Sequence, residues 1–290
     1  MTSKPTMDLT RLVETPDMIV TRGSMPDMSG VPVVVFASAA EETRQAITLE
    51  FVQQLAMIGR PAIWIADPNE TWYATEGFVD RACAIIETEM ARLGATQIDT
   101  IGASMGAFGA LAFAERLPVR TAIALGTRFT PDRRIVPDPR RKKLLRPYLS
   151  KFPFRTIEAG MAAAEHAVVV HGDRGFDQPH VLRIEPPETT EHWVVPECGH
   201  LVGKKLRERN AFQPFVRSAL AQDWDRMREA LRSADARPAI EARPVVEKYY
   251  TARLAREAKE NSRYNTLVKP VLRRIKTALL TTTQPFQRQK

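Results

Sequence analysis

The sequence predicts an α/β protein with a doubly wound, mostly parallel sheet covered by helices on both faces. Three observations predict it. β-like apolar runs alternate with longer amphipathic stretches through the central region. Two of those stretches, residues 41–58 and 76–93, repeat apolar residues at helical spacing and stop at Gly59 and Gly94, the residue type that ends helices in the left-handed conformation. Finally, Gly102-Ala103-Ser104-Met105-Gly106 lies between a strand-like segment and the small-residue run Ala107-Phe108-Gly109-Ala110-Leu111-Ala112, as a tight strand-to-helix turn requires.

Strands are expected at residues 18–21, 31–37, 61–66, 97–102, 121–125, 167–172 and 192–195. Helices fill the intervals, one of them opened by Ser104. Residues 128–154 break the rhythm with prolines and basic residues and read as an insertion between two strands, of the kind that caps an active site. Past Ala211 the pattern turns helical and charged. The expected organisation is therefore a catalytic-type α/β domain over 1–211, with its insertion, followed by a helical, basic extension over 212–290. Pro238 and Pro244 are expected to divide that extension, and its last piece, 245–280, to kink at Pro270.

With 290 residues, 44% of them apolar, the chain can bury a substantial core. Its net charge of +8 belongs to its tail: residues 251–290 hold ten Lys or Arg against two Glu, and the remainder carries 32 charges of each sign. Cys83 and Cys198 match no zinc spacing and give no disulfide framework, so no metal or cofactor is expected and a reducing cytoplasm fits. The first residues lack the apolar core of a signal peptide, and no stretch is long and uncharged enough to span a bilayer. Gly102, Gly106 and Gly109 do not fit a dinucleotide-binding fingerprint, no phosphate-binding loop is present, and nucleic-acid binding has no motif beyond charge.

The turn at Ser104 proposes a serine nucleophile. A serine hydroxyl needs an imidazole to take its proton and a carboxylate to orient that imidazole. Both follow in the sequence: Val168-Val169-Val170-His171-Gly172 leads into Asp173-Arg174-Gly175-Phe176-Asp177, and Trp193-Val194-Val195 leads into Pro196-Glu197-Cys198-Gly199-His200.

On these residues, from about Val31 to about Leu206, the chain resembles the α/β-hydrolase family. The resemblance implies Ser104 as nucleophile, His200 as general base and then acid, and Asp177 or Asp173 as the orienting carboxylate. Asp177 is favoured, because a side chain farther along the loop more easily reaches an imidazole from the neighbouring strand. It also implies an oxyanion hole of two backbone N–H groups: that of Met105, and that of Ser38 or Ala39 in Ala37-Ser38-Ala39-Ala40, which stands where many lipases and esterases carry His-Gly-Gly-Gly. The elbow, Asp177-Gln178-Pro179-His180 and Cys198-Gly199-His200 are similar to bacterial hydrolase-fold proteins associated with surface-polysaccharide and glycosyltransferase systems, which implies a glycan ester such as an acetylated sugar.

The expected activity is thus that of a serine esterase, hydrolysing a carboxylic ester of a small molecule or glycan through an acyl-enzyme. The alternative is a non-catalytic or acyl-transferring accessory protein whose basic tail docks a partner or the inner face of the membrane. Trp72 and Tyr73 are candidates to line a substrate cleft, with core packing as the plainer reading. Cations of the insertion, including Arg134 and Arg140, would steer an anionic substrate or form a solvated lid surface. Cys198 reads as a buried thiol, and His166, His171, His180 and His192 as structural or surface residues.

Overall fold

The computed structural model describes residues 5–39, 49–140 and 142–263. Among them, strands β1 (Asp8–Glu14), β2 (Ile19–Ser24), β3 (Val33–Phe36), β4 (Ala62–Ala66), β5 (Ile98–Ala103), β6 (Val119–Leu125), β7 (His166–Gly172), β8 (Thr190–Val195) and β9 (Arg237–Pro238) form one sheet. Its order is β1-β2-β4-β3-β5-β6-β7-β8-β9. From β4 through β8 every neighbour is parallel, and the antiparallel pairs β1·β2, β2·β4 and β8·β9 close the two edges. All seven expected strands are present, their ends displaced by at most three residues.

Helices α1 (Val52–Ile58), α2 (Phe78–Leu93), α3 (Met105–Ala112), α4 (Lys142–Leu145), α5 (Glu158–Ala163), α6 (Gln178–Val181), α7 (Val202–Glu208), α8 (Phe212–Leu220), α9 (Trp224–Ser233) and α10 (Ala239–Arg263) complete the described elements. The central strands bury both faces, as β3 shows with Val33, Val34, Val35 and Phe36 all fully enclosed. One apolar core lies between the sheet and α2, α3 and α5. A second lies between the opposite face and α1, α7, α8 and α9. Gly59 and Gly94 end α1 and α2 with φ of 71° and 63°, as expected. Of the stretch 41–58, residues 40–48 lie outside the described residues.

Four features depart from expectation, one of them the short strand β9 in a segment read as helical. β1 was not anticipated, because it is an exposed edge strand whose Asp8, Arg11 and Glu14 interrupt any apolar run. The compact body runs to Val246 rather than to Ala211. Phe212, Phe215, Val216 and Leu220 of α8 and Met227 and Leu231 of α9 are buried in the second core, so these helices belong to the sheet's cover. Pro244 does not divide the extension, since α10 passes through it: a proline accepts helical φ and costs one hydrogen bond, while Ala242 and Val246 anchor this turn against Val181 and Val194. Of the second unit, which starts at Glu247, residues 247–263 are described; they are helical and carry an Arg253–Glu257 pair. Pro270 lies outside the described residues.

At the N-terminal end of β5, Asp99 is fully buried between two arginines. Arg60 Nη2 donates to it at 2.6 Å, and Arg120 donates from Nε at 2.9 Å and from Nη2 at 2.6 Å. Both arginines also reach the carbonyl of Leu220, at the C-terminus of α8. This cluster ties α8 to the sheet at the end opposite Ser104.

Candidate active site

Parallel strands all end on one edge of the sheet, and the loops leaving those ends converge there. β5 delivers Ser104. Its backbone has φ 54° and ψ −116°, a conformation that costs on the order of 1–3 kcal/mol for a residue with a side chain. Close packing holds it: a Cβ on Gly102 would stand 2.2 Å from the Gly106 carbonyl, and one on Gly106 would stand 2.0 Å from the Phe36 carbonyl oxygen. The small residues on either side of Ser104 are therefore a steric requirement of the turn.

β7 and β8 deliver the other two groups. Ser104 Oγ is 2.8 Å from His200 Nε2, and His200 Nδ1 is 2.8 Å from Asp177 Oδ2. With Asp177 accepting from Nδ1–H, Nε2 is the free acceptor for the serine hydroxyl. Asp177 is completely buried, whereas His200 and Ser104 are partly exposed. Burial alone would raise the Asp177 pKa. The hydrogen bond from His200 and the charge of Arg140 outweigh it and hold the carboxyl well below the usual carboxylate range.

Asp173 does not reach His200. It follows β7 directly, and its carboxylate turns to accept the Cys198 N–H at 3.1 Å, which fixes the loop that carries the histidine. Burial pushes the Cys198 thiol up to about 11, and Sγ–H donates to the Gly199 carbonyl, so this cysteine is an unreactive packing residue.

Of the three expected oxyanion donors, two have no acceptor among the described residues. Met105 is the first residue of α3, so its N–H has no acceptor within the helix. Ser38 departs from expectation: its N–H donates to the Glu50 carboxylate at 3.0 Å, and its Oγ–H donates to the Ala103 carbonyl at 2.8 Å. Both bonds pin the loop after β3 against the turn at Ser104. Among the described residues the Ala39 N–H has no acceptor. Burial raises the Glu50 carboxyl above its ordinary value.

Trp72 and Tyr73 are corrected from cleft to core. They are 2% and 1% exposed, and both adopt positive φ. Tyr73 Oη–H donates to the Met105 carbonyl at 3.2 Å, and the ring of Trp72 meets Phe108 edge-on at 5.3 Å. They brace α3 from behind. Phe176 and Leu201, beside Asp177 and His200 in sequence, are the exposed apolar side chains here, at 43% and 62%.

The sequence reading missed the charged cluster behind the site. Asp138 takes Arg140 in a fork, with Nε at 3.0 Å and Nη2 at 2.6 Å, and accepts the Arg140 backbone N–H at 2.8 Å. Arg128 Nε and His180 Nε2 reach the same carboxylate at 3.3 and 3.1 Å. Arg140 Nη1 lies 2.8 Å from Asp177 Oδ1. A signal for this was available: Asp132-Arg133-Arg134 and Asp138-Pro139-Arg140 share the spacing Asp-x-Arg, and Asp132 holds Arg134 with the same backbone and guanidinium bonds. Both arginines are thus engaged by carboxylates, Arg140 in a largely buried position and Arg134 in an exposed one.

Beneath Asp177, the buried His171 Nε2 lies 2.8 Å from the Thr127 carbonyl and its Nδ1 lies 2.9 Å from His192 Nε2. Nε2–H therefore donates to Thr127, and Nδ1 accepts from His192. Burial pulls His171 down to about 4 and His192 well below the ordinary histidine value, so both are neutral structural groups. Among the described residues no cluster of His, Cys, Asp and Glu is arranged to hold a metal ion, and no helix is long and apolar enough to cross a membrane.

No family model matches the sequence, and no curated protein matches it. Solved structures match its fold. A capsule O-acetyltransferase of Neisseria meningitidis serogroup A aligns over 72% of this chain and 93% of its own, at 10% identity and a TM-score of 0.53. An esterase of Pyrococcus furiosus aligns over 74% of this chain and 92% of its own, at 11% identity and a TM-score of 0.50. Strand order and these neighbours together identify the fold as that of the α/β hydrolases.

Proposed function

We propose that this protein is a serine-dependent acyl hydrolase or acyltransferase that works through an acyl-enzyme, with Ser104, His200 and Asp177 as its triad. The carrying observation is the continuous pair of 2.8 Å contacts from Ser104 through His200 to Asp177. Ser104 Oγ attacks the ester carbonyl while Nε2 of His200 takes its proton. The buried carboxylate of Asp177 stabilises the imidazolium that forms and keeps Nε2 aimed at the serine. The N–H groups of Met105 and Ala39 receive the charge that develops on the carbonyl oxygen, a contribution of about 10²–10³ in rate for one such donor. His200 then protonates the leaving alcohol, and the acyl group remains on Ser104.

Water or a second hydroxyl, activated by the same imidazole, releases the acyl group. The shared fold with an enzyme named as a capsule O-acetyltransferase favours a glycan as donor or acceptor. An accessory, non-catalytic role has less support, because it gives no reason for a strained Ser104 aligned on a free imidazole nitrogen.

Labelling by a fluorophosphonate serine-hydrolase probe tests the reading. The wild type is expected to label, and Ser104→Ala and His200→Ala are expected not to. A wild type that stays unlabelled beside a reactive control enzyme would overturn it. Acetyl-ester turnover with and without added sugar acceptor then separates hydrolysis from transfer.

A further inference from the structure

The triad has a fourth member outside the elements that deliver its other residues. Asp177 Oδ2 faces His200, but Oδ1 is equally buried, and no donor meets it in hydrogen-bond geometry. A carboxylate enclosed in this way needs a compensating charge. Arg140 brings one from the insertion: its Nη1 lies 2.8 Å from Oδ1. The guanidinium is fixed from the other side by the Asp138 fork, by a bond from Nη2 to the Phe176 carbonyl at 3.3 Å, and by the Phe176 ring. Asp138 is itself immobilised by Arg128 and His180, and His180 Nδ1 accepts the Phe129 N–H. Two carboxylates and two guanidiniums balance, so Arg140 has no charge to spare for an anionic substrate.

Arg140 also stands 3.5 Å from His200 Nδ1. Both nitrogens carry hydrogen there, so the approach is between two donors, and the guanidinium is held by Asp177 rather than by the ring. We propose that Arg140 is a positioning residue of the triad: it orients Asp177 toward His200, which makes the insertion part of the catalytic apparatus. This rests on the triad reading given above. The other groups facing Asp177 and His200 do not duplicate the role, since His171 spends both nitrogens on Thr127 and His192, His180 spends both on Asp138 and Phe129, and Arg128 is committed to Asp138.

The fluorophosphonate labelling rate, followed against pH on the full chain, tests it without a known substrate. A wild type that does not label refutes the triad reading itself. Given a wild type that labels, Arg140→Gln is expected to slow labelling about tenfold across the pH range. Arg140→Lys keeps the charge and loses the fork, so it recovers part of that rate while staying below the wild type. An Arg140→Gln protein with the wild-type rate overturns the proposal. So does an Arg140→Lys protein with the wild-type rate, which remains decisive should the glutamine variant fail to fold.

Discussion

Gly106 carries the most direct test of how the fold sets up the site. Replacing it with alanine places a Cβ 2.0 Å from the Phe36 carbonyl oxygen, 2.7 Å from the Phe36 carbonyl carbon and 3.0 Å from that of Ala37. All three are backbone atoms at the end of β3, which is held on both sides by β4 and β5 and cannot rotate away. Normal contact requires about 3.4 Å, so α3 must move outward by roughly 1 Å. That movement separates Met105 from Ala39 and turns Ser104 relative to His200. A displacement of this size costs about 10²-fold in rate, and the overpacking costs about 1–3 kcal/mol of stability. Gly59→Ala is the matched control: nothing lies within 4 Å of its Cβ, but its φ of +71° penalises a side chain by about 1 kcal/mol. The assay pairs thermal unfolding with probe labelling. Gly106→Ala should lose both stability and rate, and Gly59→Ala only stability. A Gly106→Ala protein that labels like the wild type would show that the close approach of α3 and β3 does not set the site.

Three further outcomes follow from particular groups. Asp99→Ala leaves two arginines without their buried partner and should lower unfolding free energy by about 3–5 kcal/mol in urea titration, while the surviving folded fraction labels normally. Glu50→Ala should slow labelling about tenfold by releasing the Ser38 N–H and with it the oxyanion loop, whereas Glu50→Gln, whose amide oxygen still accepts that bond, should keep most of the rate; equal rates in both variants and wild type would sink this role. The buried histidines make stability fall on acidification: their folded pKa values are depressed, so the unfolded chain binds more protons between pH 6.5 and about 4, and the stabilisation present at neutral pH is lost as pH drops through that window. For His171 alone the loss from pH 7 to pH 5 is about 2 kcal/mol, and urea midpoints at those two values measure it.

What the sequence conveyed and what it hid divide along physical lines. A turn that forces positive φ or a 2 Å approach admits few residues, so Gly59, Gly94, Gly102 and Gly106 announce their positions locally. Buried parallel strands announce themselves by continuous apolar runs, while β1, charged and exposed on its edge, does not. A loop N–H bonds whichever acceptor the fold brings near it, and sequence does not say which one that is: the Ser38 N–H goes to a side chain twelve residues away rather than facing the site. The same holds for carboxylates. Asp173 and Asp177 differ by four positions on one loop, and their separation into a loop clamp and a partner of His200 depends on where Cys198 N–H and Arg140 lie. Arg140 sits 37 positions before Asp177, in an insertion with little regular structure, and its placement follows from the Asp138 turn that precedes it. A buried carboxylate with one oxygen committed to an imidazole still needs a cation for the other. Looking for an arginine locked by an Asp-x-Arg turn in the inserted segment is therefore a way to find it from sequence, because such a turn presents a guanidinium already stripped of most of its conformational freedom.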